Sequence, residues 1–454
     1  MPLCDFYEQN KDSNEEPAVP DDLISDASAF ADVAVITFSR ISGEEFDRVC
    51  EKYDGDYYLS KSEESLVSAV CAKFEKVVVV FNVCGVVDLS WCAENKKISA
   101  VLCTWLGGNM GTYVAADILI GKINPSGKLS DTFAADYCDY PSSENFNASE
   151  ELIEYTEDIF VGYRYFNTIP GADKKIVYPF GYGLSYTDFT IDAEGCRKGD
   201  NISVTATVKN VGRYSGKEVI EVYVSSPSQK LCKPKIELRA FAKTPLLSPN
   251  HKHTAEISFK ILDMASYDEQ SASYVLEKGD YTVYVGNSSV NIKPAFTYHI
   301  DNDTVTKKLV NRCTPHKLSK RMISDGSYID CEISENAAKN DVSNFSDDLY
   351  WQNSHKELFS NDVSRPDLRI LQSEEGRIQL KQVANGEYSL DEFVSQLNLS
   401  ELITLCGGYY TGGVERGVAG ISGVGDMPYF GIPAAPFTEG PSGIRVSFES
   451  TAFP

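Results

Sequence analysis

Two apolar runs, "VAVITF" at residues 33–38 and "KVVVVFN" at 76–82, flank the stretch "SKSEESLVSAVCAKFE" at 60–75, and this order decides the fold of the first part of the chain. The runs are short and rich in β-branched side chains, which reads as strands in a sheet covered on both faces. Between them Leu66, Val67, Val70, Cys71 and Phe74 recur at helical spacing, so the linking segment is predicted to be a helix with one apolar face. Strand, helix, strand makes a βαβ unit with a right-handed crossover. The run "SAVLCTW" at 99–105, a glycine turn, and "TYVAADILIG" at 112–121 repeat the pattern. Residues 31–132 are therefore predicted to form a doubly wound α/β layer structure, within a first domain taken as 1–190. Because the chain opens almost at a strand, the sheet is expected to be thin and to lack its first strands.

Downstream the texture changes. Over 198–300 short alternating segments, "NISVTATVKN", "KEVIEVYVSS", "HTAEISFKI" and "GDYTVYVGNSS", are separated by Gly, Asn, Ser and Pro turns, which predicts an antiparallel β-sandwich. Residues 301–374 thin out in apolar side chains, as in "ENAAKNDVSNFSDDLYWQNSHKE" at 335–357. They read as a polar linker that wraps a neighbour and forms no core of its own. A new domain is expected over 375–454. It starts with a capping box from Ser389 to Glu392, carries Leu390, Phe393, Val394 and Leu397 on one face, and is expected to be cut short.

The 454 residues carry a formal charge of −24 and a pI near 4.7. That balance excludes nucleic acid as a partner, since phosphate binding needs clustered Lys and Arg, and it suits a neutral substrate. No basic segment leads into an apolar one at the start, and no apolar run is long enough for a membrane span. No membrane partner is expected, and the location is read as cytoplasmic. The 12 cysteines are scattered without any C-x-x-C, the pattern of buried thiols in a reducing compartment. His251 and His253 could form a metal pair on a strand, but a polar pair running from loop to strand is the better reading. The "NAS" at Asn147 means little without a secretion signal. Neither a P-loop nor a G-x-G-x-x-G after a strand is present, so a nucleotide-binding enzyme is a poor competitor. No cofactor or metal is expected, and the oligomeric state is not readable.

Just past the first strand lies "RISGEEFDR" at 40–48, with Glu44, Glu45 and Asp47 between Arg40 and Arg48. In open parallel sheets the carboxyl edge is where ligands bind. A solvated, charged turn is the alternative.

Several segments together resemble glycoside hydrolase family 3, the retaining β-glucosidases and their relatives. "GKINPSGKLSDTF" at 121–133 is similar to that family's "G-x-x-N-P-S-G-[KR]-L-P-x-T-F" signature, with Ser130 in place of Pro. "YTEDIFVGYRYF" at 155–166 with "YPFGYGLSYTDF" at 178–189 resembles the stretch that closes the family's α/β domain. The sandwich resembles its fibronectin type III-like domain, through "VKNVGRYSGKEVIEVYV" at 208–224 and "LEKGDYTVYVGNSS" at 276–289. "GIPAAPFTEGPSGIR" at 431–445 resembles the first substrate loop of its (β/α)8 barrel, written "GIP…DGPxGxR". The resemblance implies a reversed domain order, with the truncated start of the barrel following the sandwich.

On this resemblance Glu44 holds the place of the family's general acid/base in "[RK]-I-S-G-E-G-x-D-R". Glu45 stands where the family often has Gly, in a turn favouring φ > 0, and is a rival for the acid. Retaining hydrolysis needs a second carboxylate about 5 Å away as nucleophile. Glu45 and Asp47 would raise the acid's pKa, and Arg40 and Arg48 would oppose this. Glu439 and Arg445 fall where the family uses an acidic side chain and an arginine on the sugar. The aromatics of 157–166 read as core, not as a sugar platform. The family's aspartate nucleophile, in an "S-D-W" context, is absent. The one "K-H", Lys252-His253, lies in the sandwich and not in a barrel.

The implied substrate is an oligosaccharide or aryl β-glycoside, with the rest of the barrel supplied in cis or in trans. A non-catalytic sugar- or partner-binding remnant is the competing reading.

Overall fold

The structure, a computed structural model, describes residues 18–40, 47–309 except Asn147 and Glu150, 318–331 and 377–398, with short pieces between 401 and 452. It opens on α1 (Asp21–Phe30), followed by β1 (Val33–Ser39), α2 (Lys61–Lys73), β2 (Lys76–Asn82), α3 (Ser90–Glu94), β3 (Ile98–Cys103) and α4 (Gly111–Leu119). The three strands are parallel in the order β1-β2-β3. The central strand is the most buried, with Val77 and Val79 fully enclosed. Val67, Val70 and Phe74 of the predicted helical face join Ile36, Phe38 and Phe81 in one core.

The reading of β1 as covered on both faces needs correction. Ile36 and Phe38 are buried, but Val33 and Val35 are 44% and 53% exposed. As an edge strand, β1 turns only one face to the core.

A two-stranded pair, β4 (Phe133–Ala134) with β5 (Ile176–Tyr178), leads to the sandwich. Its strands are β6 (Phe189–Lys198), β7 (Asn201–Asn210), β8 (Val219–Ser225), β9 (Glu237–Lys243), β10 (Lys252–Lys260), β11 (Ser266–Asp268), β12 (Ser273–Leu276), β13 (Gly279–Gly286) and β14 (Ile292–Ile300). The two main sheets run β10-β7-β6 and β14-β13-β8-β9. Alternate residues fill the space between them: Ile202, Val204, Ala206 and Val208 from β7, and Ile220, Val222 and Val224 from β8. The predicted boundary at 198 is one strand late. "FTIDAEGCRK" at 189–198 pairs along its length with β7, but as an edge strand with only partly buried Phe189, Ile191 and Ala193 it shows a weak apolar pattern.

Part of the predicted polar linker is regular structure. β15 (Thr304–Lys308) pairs with β12, and β16 (Lys320–Met322) pairs with β17 (Tyr328–Asp330). Met322 is buried beside Phe160 and Phe166. These strands escape a sequence reading because most of their side chains face outward. Residues 332–374 lie outside the described residues.

The last segment has its own small core. α5 (Leu380–Ala384) and α6 (Leu390–Ser395) lie near Phe393, Leu397, Met427 and Phe430, which pack together. The capping box from Ser389 to Glu392 is formed, whereas Leu390 and Val394 of the predicted apolar face are exposed. Among the described residues the strands at 409–410, 422–424 and 435–437, and the pair at 443–445 and 450–452, are antiparallel and close no barrel. No described helix is long and apolar enough to cross a membrane.

Candidate active site

The two arginines that bracket the acidic loop are fixed at the carboxyl end of β1. The Arg40 N–H donates to Asn82 O (3.1 Å), continuing the pairing of β1 with β2. Arg40 is 7% exposed, and its guanidinium grips Glu63 with both ends of the fork, at 2.8 and 2.9 Å. Its Nε donates to the Asp56 carbonyl at 2.7 Å. Glu63 also closes the capping box of α2, accepting from the Ser60 N–H while Ser60 Oγ accepts from the Glu63 N–H. One carboxylate thus holds both the helix start and the loop start.

At the other end of the loop, Arg48 Nε donates to Asp56 Oδ1 (2.6 Å), and its Nη2 to the Asp56 carbonyl (3.1 Å). The Val49 N–H donates to Asp56 Oδ2 (2.8 Å). Arg48 Nη1 reaches the Val86 carbonyl (2.7 Å). Gly85 leaves room for it, since a Cβ there would sit 3.2 Å from that nitrogen. Planar, charge-assisted forks of this kind fix geometry as well as charge. The sequence reading set these two guanidinium groups against the acid. In the described structure Arg40 pairs with Glu63 and Arg48 with Asp56.

Glu44 and Glu45 lie outside the described residues, as does Glu439. Arg445 ends the strand Gly443–Arg445, paired with Ser450–Ala452. Asp47 is exposed. His253 sits in β10 opposite Val208, and His251 precedes that strand. Among the described residues no group of His, Cys, Asp and Glu is placed to hold a metal ion. Cys92 and Cys103 sit in or against the α/β core, and burial pushes the Cys103 thiol up to about 11.

The most recognisable motif works as a joint. In "GKINPSGKLSDTF", Asn124 donates to Ser215 O and accepts from Ser185 Oγ and the Tyr186 N–H. Lys128 pairs with Glu218 at 2.9 Å. Phe160 and Phe166 are fully buried, and Tyr163 packs on Phe180 and Tyr223. The sequence reading missed Asp56 and Glu63. An S-x-x-E pattern at Ser60 to Glu63 was available for Glu63. Asp56 has no such signal.

Residues 17–186 match the glycosyl hydrolase family 3 C-terminal domain, and 218–289 the fibronectin type III-like domain. Over 97% of its length the chain is 39% identical to Beta-glucosidase A of Butyrivibrio fibrisolvens, covering 58% of that protein. A beta-glucosidase structure from Paenibacillus barengoltzii matches 98% of the chain with a TM-score of 0.77 and 31% identity, and the chain covers 50% of it. Beta-glucosidase 3B from Thermotoga neapolitana, solved in complex with alpha-D-glucose, matches 67% of the chain at 36% identity with a TM-score of 0.59, and the chain covers 45% of it. The chain spans about half the length of the curated relatives it matches. By its paired domains and by these relatives, the chain belongs to glycosyl hydrolase family 3.

Proposed function

We propose that this chain supplies the acid/base side of a retaining glycoside hydrolase that removes terminal β-D-glucosyl or related residues from oligosaccharides. Glu44 is its general acid/base, and Glu439 and Arg445 hold the sugar. The aspartate nucleophile comes from barrel residues that are not in this sequence, in cis or in trans. The observation that carries this reading is the double anchorage of the loop. Arg40 and Arg48 tie its two ends, within a few residues of Glu44, to Asp56 and Glu63. A proton donor must be held near a fixed reacting oxygen, and rigid loop ends at the carboxyl edge of a parallel sheet supply that. The names of the relatives add the substrate class.

In the reaction, one carboxyl group protonates the departing sugar oxygen while the nucleophile forms a glycosyl-enzyme. The same group then takes a proton from water. The 454 residues alone are expected not to turn over aryl β-glucosides, because the covalent route needs its nucleophile. Mixing the chain with a separately expressed barrel half of the Butyrivibrio fibrisolvens relative should produce turnover. Full turnover by the chain alone would contradict the missing nucleophile, and no turnover after complementation by a barrel half shown to bind it would favour the non-catalytic reading.

A further inference from the structure

A groove of about 420 Å³ opens on the α/β domain, lined by residues between Lys52 and Asp136. Its size falls in the range of small-ligand sites. Its aromatic surfaces are Tyr53, Tyr58 and Trp91, and its acidic ones Glu64, Asp88 and Asp136. These groups are held in place before any ligand arrives. The Tyr58 hydroxyl donates to Asp136 Oδ1 (2.9 Å) and accepts from the Tyr137 N–H (3.1 Å). The Trp91 indole N–H is held by the Asp88 carbonyl (3.0 Å). Asp88 Oδ1 takes the N–H and hydroxyl of Ser90, and its Oδ2 takes no hydrogen bond from a described residue. Although burial works against it, the Cys138 N–H and the Tyr58 hydroxyl hold the Asp136 carboxyl below its ordinary range, so it stays an acceptor.

Tyr53 adds a different kind of observation. It has φ 72°, a left-handed backbone that a bulky residue adopts only at a cost, and the residue is 49% exposed. Lys61 sits 5.5 Å from that ring's centre. Folding therefore tolerates strain to keep an aromatic face at the groove's rim.

We propose that this groove is a second sugar site, which binds a neutral oligosaccharide by stacking a ring on Tyr53 and donating sugar hydroxyls to Asp88 and Asp136. Among the described lining residues Lys52 is the one cation, lying 4.0 Å from Asp136; even with Lys61 at the rim, the three carboxylates leave the site unfavourable to anions. Rigid aromatic faces and pinned carboxylates suit a polyhydroxylated ligand, because little side-chain freedom is lost on binding. The choice of a β-glucoside as probe rests on the function proposed above; the groove's chemistry does not.

The test uses the chain as it stands and requires no turnover. Titration with cellobiose and cellotriose, followed by calorimetry and by tryptophan fluorescence, should show saturable binding. Tyr53→Ala should weaken it at least about tenfold, and Phe241→Ala, at an exposed ring on β9 of the sandwich, should leave it unchanged. Tyr53→Gly should weaken binding too, while raising the melting temperature by relieving the backbone. The proposal is overturned by absence of saturable binding, or by binding that survives both Tyr53 variants. Binding lost in Glu439→Ala but kept in Tyr53→Ala would assign the sugar to the other site and overturn it equally.

Discussion

At Asp56 the two ends of the acidic loop meet: its carbonyl accepts from Arg40 and Arg48, and its carboxylate from Arg48 and the Val49 N–H. Glu63 is more deeply placed, 7% exposed, and combines a bidentate pair with a helix cap. Removing one partner of a buried pair leaves an uncompensated charge, so Glu63→Ala should cost about 3–5 kcal/mol. Asp56→Ala keeps the backbone carbonyl and strands a guanidinium that is still partly wet, so about 1–3 kcal/mol is expected. Urea unfolding of both variants checks the order. A costlier Asp56→Ala would mean that the loop's far end, and not the helix start, carries the stability. Of this network only the Ser60 to Glu63 half has a local pattern. The arginine partners of Asp56 lie 8 and 16 residues earlier and meet it only once the sheet has formed.

Among elements, the joint between the α/β domain and the sandwich was the least expected. β8 is buried on both faces: Ile220, Val222 and Val224 face the sandwich core, while Glu221 and Tyr223 are covered as well. Gly181, at φ 80°, lies against them, and a Cβ there would come 2.6 Å from the Glu221 carboxylate and the Ser288 Cα. The family signature marked these segments as recognisable, and the structure shows why their residue types matter locally. The βαβ order and the alternation of β7 and β8 were legible because their periods are strong. β15 and β16 were not, since short strands with mostly outward side chains carry little periodicity, and in β6 the apolar alternation of Phe189, Ile191 and Ala193 gives out before the charged end at Arg197 and Lys198.

The joint also makes a pH prediction. Burial raises the Glu221 carboxyl above its ordinary 4.5, although the Tyr223 hydroxyl works against this. A raised folded value means that the native state holds the proton longer than the unfolded chain. Stability from this group is therefore complete below about pH 4.5 and is lost as pH rises through the raised value. Glu221→Gln removes that loss. Its melting temperature relative to the wild type should climb from pH 4 to pH 7; a constant difference would show that burial does not penalise the ionised form.

At the scale of the whole molecule, an acidic chain built around a thin parallel sheet and a β-sandwich shares its order of segments with relatives over 97% or more of its length. On the function proposed above, this scaffold holds Glu44 as acid/base. This is tested in the enzyme completed with its barrel half. A general acid matters most when the leaving group is a poor one, so Glu44→Ala should lose a factor on the order of 10² to 10⁴ on cellobiose and far less in the glycosylation step on a dinitrophenyl glucoside. Azide should restore turnover of the activated substrate by attacking the glycosyl-enzyme without needing a base. Glu45→Ala should show neither effect. Azide rescue of Glu45→Ala, with none for Glu44→Ala, would contradict the account and move the acid by one residue.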